Sequence, residues 1–183
     1  MIDTIGCYNN TMSGSLCDRI IYAIKSKMNS TISPSFGNSS IILDEFGELG
    51  QQLSHECLSS VHQKVVEYLP IYEFSKMISE EDIYCTSVRI SKHSYDDINN
   101  IMSCNKINND LLSSHVLNWI IFLTEEDEDN VGGEIEIPLF NKRFKAVKGK
   151  MILFPTGISY YHIPLNTIKG THYRASGSIN VNA

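Results

Sequence analysis

The sequence predicts an α+β fold in which helices pack against one antiparallel sheet of a sandwich. Helical periodicity is confined to the segment before Pro70, and strand-like runs rich in β-branched and aromatic residues fill the chain from Ile83 onward. Helices first and strands afterwards segregate into separate layers, whereas alternating units would build a parallel sheet. The later runs are also short and divided by Gly, Asn and Pro turns, as antiparallel strands require.

In chain order, Ser15 to Met28 places Leu16, Ile20, Ile21 and Ile24 on one helical face, with Ser13 or Ser15 as N-cap. A Ser/Pro/Gly-rich linker spans 29–40, followed by a short strand at Ile41-Ile-Leu-Asp44. A second helix is expected from Leu49 to Tyr68, ending before Pro70, with Leu53, Cys57, Val61 and Val65 at helical spacing. Ile83 to Ile90 reads as one strand, and the Asn/Asp-rich stretch 91–114 as a long loop. Strands follow at 116–123, 133–140, 144–147, 150–154 and 171–181, with no internal repeat.

A chain of 183 residues is long enough to bury its own core, and one domain, 1–183, is expected. The net charge of -6 and the dispersed basic residues exclude a phosphate backbone as the main partner. The loose group Lys142, Arg143, Lys145, Lys148 and Lys150 reads as the wet side of a hairpin, and Glu125 to Asp129 as a solvated turn. No apolar run approaches a membrane span, and no basic-then-apolar leader opens the chain, so cytoplasmic residence is expected. Five scattered cysteines with no C-x-x-C pair point to reduced thiols. His55 and His62, seven apart on the second helix, read as surface or packing residues. Cys104 and His115 have nothing to position them as a nucleophile pair, and no P-loop or G-x-S-x-G is present. Richness in Ile, Asn, Ser and Lys suggests an AT-rich genome of the kind viruses and phages carry.

The stretch 119–174 holds the motifs that carry chemistry. Phe122-Leu-Thr124 precedes Val131-Gly-Gly-Glu-Ile-Glu-Ile137. Val147-Lys-Gly-Lys-Met-Ile-Leu-Phe-Pro155 follows, then His162, then Lys169-Gly-Thr-His-Tyr-Arg174. In this order and spacing they resemble the C-terminal half of the prolyl-4-hydroxylase-like branch of the Fe(II)/2-oxoglutarate dioxygenases. The resemblance implies a double-stranded β-helix (jelly-roll) core over 81–183, with residues 1–80 as helical support on its larger sheet. It implies His162 as the distal metal-binding histidine. The proximal H-x-D of the family is absent, and the nearest match is His93-Ser-Tyr-Asp96, followed by Asp97. On a strand, residues three apart face opposite ways, so Asp96 joins His93 only through a bulge or tight turn. The basic residue that pairs with 2-oxoglutarate in the family falls at His172, and Arg174 shares its strand face.

Two classes of function follow from the resemblance. In one, His93, Asp96 and His162 hold Fe(II), Arg174 or His172 anchors 2-oxoglutarate, and a C–H bond of a peptide, protein or small molecule is hydroxylated. In the other, the fold is catalytically inactive and serves as a binding or structural module. A cupin-like binder with another metal lacks a second His/Glu cluster.

Overall fold

The computed structural model describes residues 4–28, 41–71, 73, 76, 78–95 and 115–182. Its elements are, in order, β1 (Gly6–Tyr8), α1 (Gly14–Met28), β2 (Ile41–Ile42), α2 (Gly47–Ile71), β3 (Ile83–Cys85), β4 (Arg89–Ser94) and β5 (His115–Phe122). There follow β6 (Val131–Gly132), β7 (Ile135–Ile137), β8 (Lys142–Phe144), β9 (Met151–Pro155), β10 (Ile163–Pro164), β11 (Thr167–Lys169) and β12 (Thr171–Val181). Seven strands form one large antiparallel sheet in the order β1-β9-β5-β12-β4-β2, with β3 also paired to β12. A three-stranded sheet, β10-β7-β8, and a two-stranded ribbon, β11-β6, complete the β structure.

Alternation along the strands decides the two faces of the large sheet. Trp119, Ile121, Met151, Leu153, Tyr173, Ala175 and Ile179 join the buried faces of α1 and α2 in one core. Ile120, Phe122, Ile152 and Phe154 point the other way and pack on Ile135, Ile137 and Phe144 of the small sheet. The mixed helix and sheet content and the helix-covered large sheet agree with the α+β expectation. Ser13 caps α1, its Oγ accepting from the Leu16 amide at 3.2 Å. His55 and His62 are exposed on α2. The basic group around 142–150 is tied down by ion pairs of Arg143 with Glu136 and of Lys148 with Asp18.

Four boundaries differ from expectation. Helix α2 runs through Pro70 to Ile71; the proline forfeits one backbone bond, and the buried Tyr68 and Leu69 keep the last turn seated. The strand expected over 83–90 is two strands. Thr86, Ser87 and Val88 lie opposite only Gly177 and Ser178, because Cys85 pairs with Ile179 and Arg89 with Ser176. This bulge adds one residue and so reverses the alternation. Ile83 before it and Val88 and Ile90 after it all face the helices, which leaves Ser91 and His93 on the opposite face. The expected strand 144–147 lies instead at Lys142–Phe144, following an Asn141 turn at φ 49°. The loop expected over 91–114 begins later, since β4 continues to Ser94. Its remainder, 96–114, with Asp96, Asp97 and Cys104, lies outside the described residues, as does the linker 29–40.

Candidate functional site

On the inner face of the large sheet, His172 pairs across the β4–β12 ladder with His93, and Arg174 lies opposite Ser91 on one side and Phe122 on the other. Arg174 is 3% exposed, His172 fully buried. The guanidinium is fixed from several directions. Nη2 donates to the Gly133 carbonyl at 2.7 Å, Nη1 donates to Nε2 of His93 at 3.3 Å, and the group lies 5.9 Å from the Phe122 ring centre. Because an arginine can only donate, that contact makes Nε2 of His93 the acceptor and leaves its ring neutral with the proton on Nδ1. Ser91 Oγ stands 3.1 Å from the same nitrogen.

No carboxylate pairs with Arg174 among the described residues, and its Nε has no hydrogen-bond partner. Burial alone pulls the guanidinium pKa down to about 10. A buried cation without its counter-charge is costly, and charge-assisted bonds to an anion would relieve it. His172 supplies a second unpartnered nitrogen, its buried Nε2. The Thr124 hydroxyl accepts from the Tyr173 amide at 3.1 Å and lies 3.2 Å from His172 Nδ1. The hydroxyl keeps a second lone pair as well as its own proton, so it serves Nδ1 in either tautomer, and in both Nε2 is buried and unpartnered. Burial and then the charge of Arg174 lower the His172 pKa. That direction disfavours the protonated His172 expected as a carboxylate anchor.

Gly133 joins these groups. At φ +71°, a Cβ on it would stand 2.5 Å from the His172 ring, so only glycine lets the backbone approach. The Gly132-Gly133 pair was legible in the sequence as a turn; its carbonyl as an arginine clamp was not, nor were Ser91 and Thr124.

His162 lies between β9 and β10, half-buried, its ring edge-on to Phe154 with centroids 5.4 Å apart. Its pKa is lowered to about 4, chiefly by burial and next by the charge of Arg174, against a hydrogen bond to the Tyr160 backbone. Arg174 is thus the common neighbour of both histidines expected as metal ligands. An iron site needs their free lone pairs and a carboxylate. As arranged, the described residues do not fit one: His93 Nε2 is engaged by a cation, and no group of three or more His, Cys, Asp or Glu converges among them. Asp96, the expected third ligand, is outside the described residues.

No protein-family model and no curated protein matches the sequence. Solved structures do match the fold. A viral collagen prolyl hydroxylase from Paramecium bursaria Chlorella virus-1 superimposes at a TM-score of 0.67 with 16% identity, covering 98% of this chain and 91% of its own. The same enzyme in its complex with 2-oxoglutarate aligns at 0.66 with 16% identity, over 99% of this chain and 97% of that one. A prolyl hydroxylase from Trichoplax adhaerens, bound to a fragment of the oxygen degradation domain of hypoxia inducible factor, aligns at 0.63 with 13% identity, over 97% and 84%. The fold is that of the prolyl-hydroxylase-like 2-oxoglutarate oxygenases, as the motifs at 119–174 implied.

Proposed function

We propose that this chain is a 2-oxoglutarate-oxygenase-like protein whose inner-face site binds the carboxylate of 2-oxoglutarate or a similar dicarboxylate. One observation carries the reading: Arg174, buried and without a carboxylate partner among the described residues, keeps an unpaired Nε. A dicarboxylate would neutralise the guanidinium, each charge-assisted bond adding about 1.5–3 kcal/mol. His172 would add its Nε2–H in the tautomer protonated there, and the rings of Phe122 and Phe154 would keep water from the pair. On this reading the three sheets close as a double-stranded β-helix, one domain over 1–183 with 1–80 as helical support.

If the chain is catalytic, the Fe(II) expected from the resemblance would supply oxygen activation, and a peptide, protein or small molecule would supply the C–H bond. That Trichoplax relative carries a peptide fragment, which favours a peptide. The donors among the described residues do not fit iron as they are arranged. The second reading, a catalytically inactive binding module, is favoured by the engagement of His93 Nε2 with Arg174. Both share the carboxylate site. Calorimetric titration of the full chain with 2-oxoglutarate, with and without Mn(II), tests it. Saturable binding that is lost in Arg174→Met is expected; no binding under either condition removes the reading.

A further inference from the structure

We infer that a divalent cation and the carboxylate ligand are rivals at this site: the chain takes its dicarboxylate without a metal, and Arg174 stands where a cation on His93 would have to be. The inference rests on the carboxylate reading above and adds its relation to metal. It starts from a single nitrogen. The Nη1 of Arg174 lies 3.3 Å from His93 Nε2 and the Ser91 hydroxyl 3.1 Å from it. A metal–imidazole bond runs to about 2.1 Å along the same lone pair. An ion placed there would overlap the guanidinium, so the two cannot share the nitrogen.

Nor is the guanidinium free to swing aside. Its Nη2 is held by the Gly133 carbonyl at 2.7 Å, and the side chain is 3% exposed. Charge argues the same way. Among the described residues the cluster holds one buried positive charge and three histidines, no carboxylate is bonded to the guanidinium, and Glu126 and Asp127 act on His172 through their charge, so an incoming anion cancels the buried charge whereas a dication would add to it. The unpartnered Arg174 Nε–H is the donor an oxygen ligand satisfies, joined by His172 Nε2 in the tautomer that carries its proton there.

The test is calorimetry of the full chain with 2-oxoglutarate, first in a chelator and then in Mn(II), with the Arg174 Nε–H resonance followed in ¹⁵N-arginine protein. Binding in chelator that shifts this resonance, and that Mn(II) leaves unchanged or weakens, is expected. Binding seen only with Mn(II), or tightened tenfold by it, overturns the inference while leaving the carboxylate reading standing. Heat without movement of Arg174 Nε also overturns it, by placing the ligand elsewhere. Absence of binding in both conditions removes the carboxylate reading itself.

Discussion

His93 and Arg174, on adjacent antiparallel strands and 81 positions apart, meet at one nitrogen: Nη1 donates to Nε2 across 3.3 Å. The pair defines the chemistry of the inner face. It makes His93 a hydrogen-bond acceptor for a cation, in a place where the resemblance to oxygenases led one to expect a metal ligand.

Replacing the guanidinium removes the ligand response without a matching loss of fold. A ligand at a hundredfold its Kd stabilises by about 2.7 kcal/mol, which for a domain of this size raises Tm by about 5 °C or more. The wild-type chain is expected to show that rise with 2-oxoglutarate, and Arg174→Met to show none. The apo Tm of the variant should move little, because losing the bond to Gly133 is offset by removing an unpaired buried charge. An unchanged ligand shift in the variant, read by differential scanning fluorimetry, would place the ligand elsewhere.

Gly133→Ala tests the close approach to His172. A Cβ added at Gly47, at φ +70°, would meet nothing within 4 Å, whereas one at Gly133, at φ +71°, would meet the His172 ring at 2.5 Å. Gly47→Ala therefore carries backbone strain alone, about 1–3 kcal/mol at its φ of 70° and ψ of -154°. Gly133→Ala adds overpacking of about 1–3 kcal/mol and disturbs both donors of the site. Urea denaturation should separate the two variants clearly; equal losses would refute the contact.

Acid should weaken the fold through His162. Its pKa is pushed down to about 4, by burial first and the Arg174 charge second. The unfolded chain accepts that proton near pH 6.5. The folded pKa is the depressed one, so the stability is whole above about pH 6.5 and drains away as the pH falls toward 4. The loss amounts to at most about 3 kcal/mol, less with solvent screening of a half-buried ring. His172, also lowered, acts in the same direction. Unfolding free energies measured at pH 7 and pH 4.5 should differ accordingly, and His162→Gln should flatten the slope.

Thiol labelling should follow burial. Desolvation pushes Cys17 and Cys85 up to about 11 and raises Cys57 further, while Cys7 is exposed. Since the thiolate is the reactive form, alkylation of the native chain at pH 7.5 should modify Cys7 and spare Cys17, Cys57 and Cys85. Peptide mapping after alkylation in denaturant should recover all five cysteines of the chain, Cys104 included; rapid native labelling of Cys57 would show that the helix core opens.

The sequence by itself determined the class of fold, the two helices and the run of strands, since the periodicities of 3.6 and 2 are local and the apolar residues keep them. It also placed Gly132-Gly133, Phe154-Pro155, His162 and Arg174 in an order that resembles one oxygenase branch. Only the tertiary structure decided which way His93 faces. The bulge at 86–88 reverses the alternation of the strand, and a single extra residue opposite Gly177 and Ser178 leaves no trace in a hydrophobic pattern. Likewise the choice between His172 and Arg174 was open in the sequence, because the two share a face. What the fold adds is the partners, far away in the chain, that surround each of them. Thr124 stands at Nδ1 of His172, while Gly133 and His93 hold the arginine's charge in the interior. Such pairings depend on strands that meet only after folding, and a spacing rule along one strand does not contain them.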